Sequence, residues 1–209
     1  MGNINKAFGT KVYFSDGNTK MGAIPSVSLP PIKTCHNCSE CSKKCYARRI
    51  YQRLSVVKKQ YDSNLRLLHK DRNKYFDDIN TVLKYSNFFR WHVAGDIVDY
   101  DYFVRMCKLA EDNPNCVQLV FTKDYKTVNK YLSDGGTIPE NLHVIFSVWK
   151  NTPYENPYNL PECHIRYRNG ETTAGESYYE CVGNCFKCFF DDKGCVSLEY
   201  GEQIVINEH

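Results

Sequence analysis

From residue 88 onward the hydrophobic pattern switches period repeatedly, and that alternation limits the folds open to this chain. Phe88-Phe89-Arg90-Trp91-His92-Val93 reads as a strand, and Phe103, Met106, Cys107 and Ala110 then recur at helical steps. Cys116 to Thr122 is a second strand, followed by a short helix near Val128 to Leu132 that Gly135-Gly136 would stop. Leu142 to Trp149 is a near-continuous apolar run, the mark of a strand buried on both faces. Cys163 to Tyr167 adds another strand, and Gln203 to Ile206 is strand-like. Strands alternating with helices predict an α/β fold: a partial (β/α) barrel or parallel sheet with helices outside.

Upstream the pattern is different. Residues 1–34 read as loop with one short strand, Lys11 to Phe14, and the prolines of Met21-Gly22-Ala23-Ile24-Pro25 and Leu29-Pro30-Pro31 predict an extended, packed segment. Ile50, Leu54, Val57, Tyr61, Leu65 and Leu68 then recur at steps of three and four, predicting one long helix. A second helix is expected from about Asn73 to Tyr85, with Phe76, Ile79, Val82 and Leu83 inward. The expected division is an α/β barrel-like domain over residues 1–169, with its cysteine loop near the N-terminus. A cysteine-rich, loop-dominated C-terminal extension over 170–209 packs on it.

Hydrophobic residues make up 42% of the chain, enough for a core, and the net charge of +3 is too small to argue for nucleic acid. No stretch approaches the roughly eighteen apolar residues that a membrane span requires. The opening MGNINKAFGT lacks a secretory pattern, and Lys6 stands where a myristoylated chain carries Ser or Thr. The expectation is a cytoplasmic protein with reduced thiols, away from membranes.

The 11 cysteines carry the chemistry. Cys35-x2-Cys38-x2-Cys41-x3-Cys45 and Cys181-x3-Cys185-x2-Cys188-x6-Cys195 are two runs of four, at opposite ends of the chain. Zinc knuckles pair two short Cys units separated by about a dozen residues or more. A tight Cys-x2-Cys-x2-Cys succession instead lets one loop wrap the corners of a cubane. Both runs are therefore candidate [4Fe-4S] ligand sets, with zinc and plain reduced thiols as the competing readings. Lys43, Lys44, Arg48 and Arg49 surround the first run, and a helix starting near Tyr46 would direct its positive end toward an anionic cluster; solvated surface charge is the alternative. Cys107 and Cys116 read as small buried hydrophobes. Cys163 is open to either role.

In a parallel sheet functional groups gather at the C-terminal ends of strands. Those ends carry His92, Gly95-Asp96, Thr122-Lys123, Ser147, Trp149 and Arg166. The turn at Gly95 permits close backbone approach, and Asp96 can accept from a ligand or cap the next helix. The basic residues of 46–70 read as a solvated outer face or as a nucleic-acid surface.

Lys20-Met21-Gly22-Ala23-Ile24-Pro25, Ser28-Leu29-Pro30, Thr34-Cys35 and Cys41-x3-Cys45-Tyr46-Ala47 resemble the phage family called gene product 88, as do Arg90-Trp91-His92 with Gly95-Asp96, Phe121-Thr122-Lys123 and the cysteine-rich end. That resemblance implies a protein acting in an infected host cell, and it assigns no reaction. The family is similar in outline to radical-SAM-type partial barrels. The analogy implies cofactor contacts at Gly95, Asp96, Lys123 and Arg166, with S-adenosylmethionine as a candidate ligand. The late position of Cys-x3-Cys-x2-Cys and the fourth cysteine of each run depart from that pattern. Three functions are therefore expected to compete: an iron–sulfur protein working with an electron donor or acceptor, a radical SAM enzyme of unassigned substrate, and a zinc-stabilised nucleic-acid module. Oligomeric state is not legible.

Overall fold

A computed structural model describes residues 3–208. Short helix α1 (Asn3–Phe8) leads to strands β1 (Phe14–Ser15) and β2 (Ser26–Val27). Three helices follow, α2 (Tyr46–Arg53), α3 (Ser55–Lys70) and α4 (Arg72–Leu83). Then come β3 (Phe88–Trp91), α5 (Tyr100–Asp112), β4 (Val117–Thr122), α6 (Tyr125–Ser133), β5 (Leu142–Val148) and β6 (Glu162–Arg166). The chain ends with β7 (Tyr179–Glu180), α7 (Cys185–Phe190) and β8 (Gln203–Asn207).

All eight strands form one sheet in the order β1-β2-β3-β4-β5-β6-β8-β7. Only the β1–β2 pair is antiparallel; from β2 to β7 every neighbouring pair is parallel. Of the two architectures expected, the parallel sheet is the one described. Residues beyond 170 supply β7 and β8, and β8 lies directly beside β6, so the C-terminal segment is built into the sheet.

Side-chain alternation gives the sheet two faces. On one, Phe89, Trp91, Val120, Val144 and Phe146 meet α3–α6 in the main core, through Leu68, Phe76, Ile79, Phe103 and Val128. On the other, Leu119, Ile145, Cys163 and Ile204 pack with Met21, Ile24, Phe189, Val196 and Leu198. Helices cover the first face, whereas the N-terminal hairpin and the cysteine-bearing C-terminal segment cover the second.

Two expectations need correcting. The single long helix is two: Leu54 takes an extended conformation (φ −104°, ψ 102°) and separates α2 from α3. No glycine or proline marks this break. The apolar stripe of these helices also divides: Ile50 and Leu54 are exposed, whereas Leu65 and Leu68 pack on the main core. The strand expected at Lys11 to Phe14 shrinks to Phe14–Ser15, because helix side chains satisfy its backbone. Asp78 accepts from the Lys11 and Val12 N–H groups (2.7 and 3.0 Å), and Asn64 accepts from the Tyr13 N–H (2.7 Å). The proline-bearing segment is extended as expected; it forms β2 and joins β3 through the Arg90 N–H to Pro25 and the His92 N–H to Val27.

Candidate thiol-lined site

The loop between β2 and α2 carries the first cysteine run and hangs over the C-terminal ends of the strands. Asn37 Nδ2 donates to the Lys123 carbonyl (2.7 Å), tying this loop to the end of β4. The second run lies on the segment entering and leaving α7. The Cys185 N–H donates to the Lys20 carbonyl (3.0 Å), and a Cβ at Gly22 would stand 2.6 Å from Phe186 Cβ, so α7 rests directly on the N-terminal hairpin. Two runs remote in sequence are thereby brought to one place. Cys35, Cys41 and Cys45 of the first and Cys181, Cys185 and Cys195 of the second line a common cavity of about 610 Å³. All four cysteines of the second run, Cys188 included, line an adjoining cavity of about 570 Å³. Cys38 lines neither.

The thiols are free, and several are held neutral by burial. Desolvation pushes Cys35 up to about 12, although the Ile32 N–H donates to its sulfur. Burial likewise raises Cys41, Cys188 and Cys195. A metal binding here would have to displace those protons. Cys45 has a second task, because its sulfur caps α2 by accepting from the Arg48 N–H (3.3 Å). The α2 N-terminus therefore does begin at the run. Cys163 is fully buried among Cys181, Cys185 and Cys195, whereas Cys107 and Cys116 sit in the main core. Among the described residues, no three His, Cys, Asp or Glu side chains are gathered as ligands for one metal ion.

The cations expected around the first run are largely spent elsewhere. Lys43 pairs with Glu40 (2.9 Å) and Lys44 with Glu208 (2.6 Å), while Arg48 and Arg49 are exposed away from the cavity. The basic groups that do border the cavity are Lys20, Lys44, Arg90 and Lys123. The Lys123 charge acts on Cys35 and Cys41, and that of Arg90 on Cys195 and Cys163.

The strand-end residues divide. His92, Gly95, Asp96, Lys123, Ser147 and Trp149 line the cavity, and Arg166 does not. Arg166 is instead engaged by Glu180 and Tyr178. Asp96 is buried and fully occupied: Oδ1 accepts from Thr122 Oγ1 (2.6 Å) and the Ile97 N–H (2.8 Å), and Oδ2 from the Lys123 N–H (2.9 Å). It therefore joins the end of β3 to the end of β4, and Asp99, not Asp96, caps α5. Gly95 has φ +83°, and a Cβ there would come within 2.7 Å of Thr34 Oγ1 and 2.9 Å of Leu29. Close packing of the proline-bearing segment accounts for this glycine. The apolar stripe of α2 and α3 forms the remaining wall, through Tyr46, Ala47, Ile50, Val57 and Tyr61.

Sequence reasoning missed Arg90 and the polar chain of β6, and did not foresee the setting of His92. Arg90 stacks on Phe121, 4.2 Å from the ring centroid, and enters the cavity from the sheet floor; its i, i+2 relation to His92 was the available signal. His92, one of the strand-end candidates, has φ +51°, and its ring centroid lies 5.5 Å from that of Tyr102. Both its ring nitrogens are buried without a hydrogen-bond partner. Finally, β6 carries a buried polar chain in which His164 Nδ1 meets Thr173 Oγ1 and Nε2 meets Glu162 Oε2, both at 2.9 Å. It lines neither cavity and organises the β6–β8 edge, where Gln203 also reaches Glu162.

No helix among the described residues is long and apolar enough to cross a membrane. No match was found among curated proteins, and none among solved structures. The family described as gene product 88 matches residues 4–174, a span that holds the first cysteine run and the strand-end residues and stops short of the second run. With most of its length so matched, the chain belongs to the phage gene product 88 family.

Proposed function

We propose that this chain is an iron–sulfur cluster-binding protein acting in electron transfer within the infected cell. In this reading Cys35, Cys38, Cys41 and Cys45 hold one [4Fe-4S] cluster and Cys181, Cys185, Cys188 and Cys195 hold a second. The observation that carries the reading is the convergence of both runs on one cavity bordered by Lys20, Lys44, Arg90 and Lys123. Thiols spread around walls enclosing about 610 and 570 Å³ suit a group of several atoms held at its corners. A zinc ion would require ligand atoms about 2.3 Å from a single point. Cationic side chains beside the thiols favour the anionic, fully thiolated form of such a cluster. When bound, the cluster supplies one-electron redox chemistry; the chain's own residues exclude water, balance charge and present the edge through which a partner protein exchanges electrons.

The iron and acid-labile sulfide of protein purified without oxygen test this directly. The expected result is brown protein carrying about four or about eight of each per chain, as one or two cubanes require. Colourless protein with stoichiometric zinc overturns it. Cys45→Ser keeps a side chain able to cap α2 while removing the thiolate, and should abolish one cluster's worth of iron. Full retention of iron would remove the first run from the ligand set.

A further inference from the structure

We propose that the cavity between the two cysteine runs binds a small organic carboxylate, held by the Arg90 guanidinium against an apolar wall. Charge is the first argument. Of the acids on the cavity, Glu208 is paired with Lys44 and both Asp96 oxygens are taken by protein donors. The Lys123 charge acts on the Asp96 carboxylate, whereas Arg90 forms no ion pair with a carboxylate among the described residues, so Arg90 is the cation the cavity leaves open.

Arg90 is also prepared for a planar anion. Its Nε donates to the Trp91 carbonyl (3.2 Å) and its plane rests on Phe121 (4.2 Å), which fixes the fork. No hydrogen bond engages either Nη among the described residues. A fixed guanidinium edge matches the two oxygens of a carboxylate. His92 supplies the second, independent observation. It is 4% exposed, it lines the same cavity, and both ring nitrogens lack partners. A buried polar ring in that condition is destabilising. The α2–α3 wall is apolar, with Ile50, Val57 and Tyr61. A volume of about 610 Å³ falls within the roughly 300–1,000 Å³ of small-molecule sites. Floor and wall together select a carboxylate with a hydrocarbon or aromatic body. The proposal does not depend on a bound cluster.

The rival role for Arg90 is to balance thiolate charge, and one experiment separates the two. Anaerobically purified protein is titrated calorimetrically with 1-naphthoate and with neutral 1-naphthamide, and its iron is counted in parallel. Naphthoate should bind one site at least about tenfold tighter than the amide, the value of a charge-assisted pair. Arg90→Gln should erase that difference, and Arg90→Lys should restore part of it. Absent naphthoate binding, equal affinities for the two probes, or an Arg90→Gln protein that loses iron but keeps its naphthoate affinity would each overturn the proposal. If no preparation holds iron while the tenfold difference stands, the iron–sulfur reading falls and this inference survives. Should Arg90→Gln fail to fold, Arg90→Lys and Lys123→Gln carry the comparison, and unchanged naphthoate affinity in both overturns it.

Discussion

Successive residues of β4 belong to different worlds: Val120 joins the helix-covered core, whereas Leu119 and Phe121 face the thiol-bearing segments. The helix side is continuous hydrocarbon, with Phe89, Trp91, Ile79, Phe103 and Val128 all fully buried. The other side is thinner, and its covering elements are a six-residue helix, a hairpin and short turns. It also leaves Val182, Phe186 and Phe190 exposed. Regular helices bury a broad apolar stripe, so they can close a face completely. Loops stapled by a few hydrogen bonds close it only in part, and the gap becomes a cavity. Apolar burial is thus concentrated on one face of the sheet, and the thiols on the other.

Three experiments test that contrast. Trp91→Ala should cost most, about 3–5 kcal/mol, because a fully buried ring is lost and Gln118 Oε1 loses its indole donor at 2.9 Å. Urea unfolding should show Phe189→Ala, on the thiol side, costing clearly less. Equal costs would mean that both faces carry the fold alike.

The second experiment concerns His92, which borders the cavity while packing against the helix-side Trp91 and Tyr102. Burial, with a smaller contribution from the Arg90 charge, lowers its pKa to about 3. The native ring thus stays neutral where the unfolded imidazole, with a pKa of about 6.5, takes up a proton. Stability is full above pH about 6.5 and declines as pH falls toward 3, by about 1.4 kcal/mol per pH unit from this group alone. Thermal melts from pH about 7 to about 4 should show a shallower decline in His92→Phe. Parallel curves would show that the ring is not desolvated as the structure has it.

The smallest effect on folding is expected at Cys188→Ser. In metal-free protein it should shift stability by less than about 1 kcal/mol, yet iron content should fall in the anaerobic preparation. A large loss of metal-free stability with intact iron would place Cys188 among structural residues.

Much of the helix-covered face was legible. Phe76, Ile79, Val82 and Leu83 were expected inward at α4, and Phe103, Met106 and Ala110 at α5, and all are buried. There the helical and strand periods are long enough to be unambiguous. The break at Leu54 was not legible, because it carries no breaker residue. The β7 strand and α7 escaped notice because two- and six-residue elements hold no period. Gly95 and Asp96 were read as ligand contacts; both line the cavity, and they also lock the proline-bearing segment and the β3 and β4 ends together, which no local pattern showed.

By itself the sequence determined the alternating α/β order, the inward faces of α4 and α5, the thiol spacings and the family, since each is a local pattern of residue types along the chain. Tertiary structure alone decided that two cysteine runs, read as sites at opposite ends, share one cavity, that Arg90 and Lys123 border it, and that Arg166 and Asp96 are committed to neighbours. The reason is physical: a parallel sheet collects distant strand ends at one edge, and which side chains meet there depends on how far each connection reaches across it.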